Sequence, residues 1–119
     1  MSEKSVPAGT VYGVWADQST LRRESLGPLF GRISVELRGD IDDVWASSYL
    51  EVRHDAEQLS RFNLDARLGR VSFTSRASET ADDIQDALAR LTLLLELANL
   101  QATTAAAAAS ASVNERRRA

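Results

Sequence analysis

The 119-residue sequence has no cysteine, a single histidine (His54), a single lysine (Lys4) and two prolines. The missing thiols exclude disulfides, thiolate metal sites and cysteine nucleophiles. One imidazole cannot build a multi-histidine metal site. Neither G-x-x-x-x-G-K-[ST] nor G-x-G-x-x-G occurs, and the one lysine lies four residues from the start, so phosphate-cradling loops are disfavoured. There is no G-x-S-x-G elbow either. The longest strongly apolar stretch, Leu91 to Leu100, is interrupted by Thr92, Glu96 and Asn99. It falls well short of the roughly 20 apolar residues a membrane-spanning helix needs. After Lys4 no hydrophobic run follows, so no secretory signal is expected and a cytoplasmic location is the default.

What is present reads as one globular domain. Hydrophobic residues make up 44% and charged residues 26%, the balance of a chain that folds around a core. The length suffices for one such core. Net charge is −3, unevenly placed. Residues 77 to 101 hold five carboxylates against Arg90 alone, whereas residues 102 to 119 carry Arg116, Arg117 and Arg118 beside Glu115.

Residues 1 to 9 are polar and aperiodic, and are expected to form a flexible arm before a domain spanning 10 to 101. Thr10 to Ala16 is β-branched and aromatic, which favours a strand. Ile33 to Arg38 alternates, with Ile33, Val35 and Leu37 on one side. Ala46 to Arg53 also reads as alternating, with Leu50 and Val52 inward and Tyr49 and Arg53 outward. Leu59 to Ala66 fits either strand or helix, and Arg70 to Ser75 is a strand with Val71 and Phe73 inward. Gly27-Pro28-Leu29-Phe30-Gly31 is a turn expected to plug the edge of the core.

Ser78 to Gln101 is the best-defined helix. Ser78 or Thr80 can cap it, and acidic residues crowd its first turns. Ile84, Leu88, Leu91, Leu95 and Ala98 step by four, three, four and three along one face. Alanine can carry the helix a turn or more further, but 102 to 119 is an alanine- and serine-rich tail expected to end in disorder for want of side chains to bury. The expected fold is α+β: a two-layer sandwich of a four- or five-stranded antiparallel sheet, mostly a meander, packed by this C-terminal helix. Its expected core is Val14, Trp15, Ile33, Val35, Leu37, Leu50, Val52, Phe62, Leu64, Val71, Phe73, Ile84, Leu88, Leu91 and Leu95.

No motif assigns chemistry. Asp40, Asp42 and Glu51 fall at positions 1, 3 and 12 of a calcium-loop spacing, but Val44 and Trp45 stand where an oxygen ligand and glycine are required. A solvated turn explains these carboxylates better. Arginines beside an aromatic residue on the outward strand faces (Arg38, Tyr49, Arg53, Arg70) could meet nucleic acid, yet Glu36 and Glu51 are interleaved and the chain is acidic. Nucleic acid is therefore not expected as a partner, and no cofactor is expected.

One pattern exceeds what a sheet-covering helix needs. Leu93, Leu97 and Leu100 form a second row, about 200° around the helix from Leu91. Either the chain's own segments cover it or a partner does, and a homodimer is one such arrangement. The expected function is a non-enzymatic protein-binding or assembly module acting through this leucine face or a sheet edge. The alternative is a small-molecule-binding domain or minor enzyme with a pocket between sheet and helix, using Tyr12, Tyr49, Arg53 and His54.

Overall fold

The computed structural model describes residues 11–118, with side chains described to residue 109. The expected arm at 1 to 9 lies outside the described residues. Strand β1 (Trp15–Ser25) and β2 (Phe30–Arg38) form a hairpin, followed by helix α1 (Asp43–Asp55) and a 3-10 turn (Glu57–Leu59). A second hairpin, β3 (Asn63–Asp65) and β4 (Arg70–Arg76), leads into helix α2 (Ala81–Arg118). The sheet order is β1-β2-β4-β3, antiparallel throughout. It is an α+β two-layer arrangement, but the sheet is not a meander: β4 inserts between β2 and β3, so β2-α1-β3 is a split β-α-β unit.

Alternation decides which face is covered. Ile33, Val35 and Leu37 of β2 and Val71 and Phe73 of β4 are buried, paired in register as Ile33 with Phe73 and Val35 with Val71. Ser34, Glu36, Arg70 and Ser72 point to the other face, as period-two geometry requires. Strand β1 keeps this register only at its two ends, because its partner jumps from Glu36 at Asp17 to Ser34 at Arg22. The irregularity is internally bonded. Thr20 Oγ1 donates to the Asp17 carbonyl (2.6 Å) and accepts from Glu36 N (2.8 Å), and Leu21 packs against the core.

The segment read as a strand over Ala46 to Arg53 is helix α1. Asp42, in extended conformation, accepts a hydrogen bond from Trp45 N on its Oδ1 (2.9 Å) and starts the helix as an N-cap. Trp45, Tyr49 and Val52 then step by four and three, so Trp45 and Tyr49 are fully buried with ring centroids 5.3 Å apart. Leu50, expected inside, is 50% exposed, and Tyr49, expected outside, is in the core. Val52 is only partly buried. Gly39, in the turn before α1, has φ +114 and a position where a Cβ would sit 3.1 Å from Val14 Cα, so only glycine lets the two backbones approach there.

Helix α2 opens on a reciprocal cap: Asp83 N donates to Thr80 Oγ1 (3.2 Å) and Thr80 N donates to Asp83 Oδ2 (2.8 Å). Its stripe, Ile84, Leu88, Leu91, Leu95 and Ala98, is buried, and Ala87 and Leu94 widen it. Helix continues past Gln101 to Arg118, Ala102 is buried, and Ala106 packs against the core. Leu59 to Ala66 is neither one strand nor one helix: the 3-10 turn buries Leu59, Phe62 is fully buried edge-on to Phe73, and only Asn63–Asp65 is strand. Leu64 is partly buried beside the core. Of Val14 and Trp15, Val14 is inside and Trp15 is 55% exposed.

Candidate functional site

The second leucine row lies on the solvent side of α2. Leu93 is 49%, Leu97 38% and Leu100 66% exposed, on the side opposite the stripe that buries Leu91 and Ala98. Neither the sheet nor α1 covers them, because both pack against that opposite stripe. Further along the same outward side are Thr104 and Ala107, also exposed. Thr104 Oγ1 donates back to the Leu100 carbonyl (3.0 Å), which satisfies its hydroxyl and leaves its methyl group free to pack.

The β1-side flank of α2 is, in contrast, polar and bonded to the rest of the fold at Asn99 and Thr103. Asn99 Oδ1 accepts from Val14 N (2.9 Å) and from Trp45 Nε1 (2.8 Å), and Asn99 Nδ2 donates to the Val14 carbonyl (3.0 Å). Thr103 Oγ1 accepts from Tyr12 N (3.1 Å). These side-chain bonds tie the segment before β1, α1 and α2 together. This side of the helix is structure, and the leucine side is surface.

The uncovered sheet face is charged but self-neutralised. Asp17, Glu36, Arg70 and Asp65 occupy one row across all four strands. Arg38 meets Asp17 (3.1 Å) and Glu36 (3.4 Å), while Arg32 meets Glu24 (3.3 Å). The hydroxyl and backbone amide of Ser19, with Arg38, hold the Asp17 carboxyl below its ordinary value. Of the residues expected on this face, Arg38 and Arg70 are there, whereas Tyr49 and Arg53 belong to α1.

The polar residues considered for a small-molecule pocket do not converge. Tyr12 donates to Asp42 Oδ2 (2.6 Å), while Tyr49, inside the core, donates to the Phe62 carbonyl (3.0 Å). Arg53 donates to the Ser60 carbonyl (3.0 Å) and Asn63 Oδ1 (2.9 Å), and His54 is exposed near the end of α1. Asp42, read as a turn-former, is the cap of α1. Among the described residues no three His, Cys, Asp or Glu side chains gather as a metal site. An open groove of about 570 Å³ runs between the ends of β2 and β4 and the start of α2. Arg61 there donates to the Thr74 carbonyl (2.7 Å), stacks 4.9 Å from the Phe73 ring centroid and faces Glu79, so its charge is already committed.

No family model, no curated protein and no solved structure matches the chain.

A second apolar patch lies at the β1–β2 tip, where Leu26, Leu29 and Phe30 are exposed. This corrects the expectation that the Gly27–Gly31 turn would plug the core. The tip lies beside the start of α2 without entering the core: Ala77 N donates to the Leu29 carbonyl (2.9 Å), and Phe30 borders the groove lined by Ser78 and Glu79. Glycine and proline in the sequence marked the turn, but nothing there marked that Leu26, Leu29 and Phe30 would stay exposed. No helix among the described residues is long and apolar enough to cross a membrane.

Proposed function

We propose that the protein is a non-enzymatic protein-binding or assembly module, and that Leu93, Leu97 and Leu100 on α2 are its docking surface for a helix laid alongside. The observation that carries this reading is the exposure of three leucines in one row, facing away from a core the same helix already seals. Full burial of a leucine is worth about 1.5–3 kcal/mol, and roughly half of that is still ungained at each position. The neighbouring Thr104 and Ala107 are small, so a second helix can approach closely.

The test places a photoreactive residue at position 97 of the full chain and activates it in the native host. A discrete covalent product of higher mass is expected, and Leu93→Glu with Leu100→Glu should abolish it. The same double substitution should leave the melting temperature within a few degrees, since exposed positions away from caps and cores move stability by about 0.5 kcal/mol or less each. Absence of any higher-mass product, or collapse of the fold on substitution, overturns the reading.

A further inference from the structure

We draw no further inference here: the strongest candidate, the exposed apolar patch of Leu26, Leu29 and Phe30 at the β1–β2 tip, lies beside the start of α2, and nothing in the structure shows what covers it.

Discussion

At the scale of single residues, the two tyrosines are the groups that the fold perturbs most visibly. Tyr49 is sealed in the core, and burial pushes its hydroxyl well above the ordinary phenol value. Tyr12 is pushed up to about 12, first by its hydrogen bond to Asp42, then by burial and by the negative charge of Asp42 and Asp40. Both folded values exceed the unfolded value near 10, so the folded state holds these protons more tightly. Their contribution to stability is complete below about pH 10 and is lost as pH rises from there through the folded values. In an alkaline titration, tyrosinate absorbance should therefore rise together with loss of the circular dichroism of the fold. Ionisation of either tyrosine near pH 10 in a still-native protein would contradict this account. Tyr12→Phe should cost about 0.5–1.5 kcal/mol at neutral pH and make the alkaline decline shallower.

At the scale of elements, the helix starts are set by single side chains. Thr80 and Asp83 satisfy one another's backbone amides at the head of α2. Thr80→Ala should lower unfolding free energy by about 1 kcal/mol, within the range of 0.5–2 typical of lost caps, and Thr80→Ser should recover most of it. A denaturant midpoint unchanged by Thr80→Ala would show that the cap is idle. The elements legible in the sequence are those with a single period. Ile33 to Arg38 and Arg70 to Ser75 alternate, and Ile84 to Ala98 steps by three and four. Helix α1 was hidden because Ala46 to Arg53 fits both periods: Leu50 and Val52 alternate, while Trp45, Tyr49 and Val52 form a helical stripe. The deciding signal lay upstream, in Asp42, which reads equally as turn-former and N-cap. The bulged length of β1 was invisible for another reason, since Gln18 to Leu21 is held out by bonds from Ser19 and Thr20 that no periodicity encodes. The leucine row was legible as a pattern, whereas its exposure depended on where α1 and the sheet came to lie.

At the scale of the whole molecule, α2 sets the shape. Its 38 residues span about 57 Å at 1.5 Å each, close to the 62 Å long axis, and the other extents are 28 and 20 Å. The core grips only part of this rod. Among the described side chains the last buried one is Ala102, Thr103 holds Tyr12 N, and Ala106 packs at the margin. The fold should consequently need α2 only as far as these contacts reach. A chain ending after Ala109 keeps all of these core contacts and should melt within a few degrees of the full chain. A chain ending after Gln101 loses the buried methyl of Ala102 and the acceptor for Tyr12 N. That loss should amount to about 2 kcal/mol, or roughly 8 °C in melting temperature. Equal destabilisation by both truncations would mean that residues beyond 109 help to hold the fold. If neither truncation lowered the melting temperature, the packing of Ala102 and Thr103 would be without consequence, and the domain would end at Gln101.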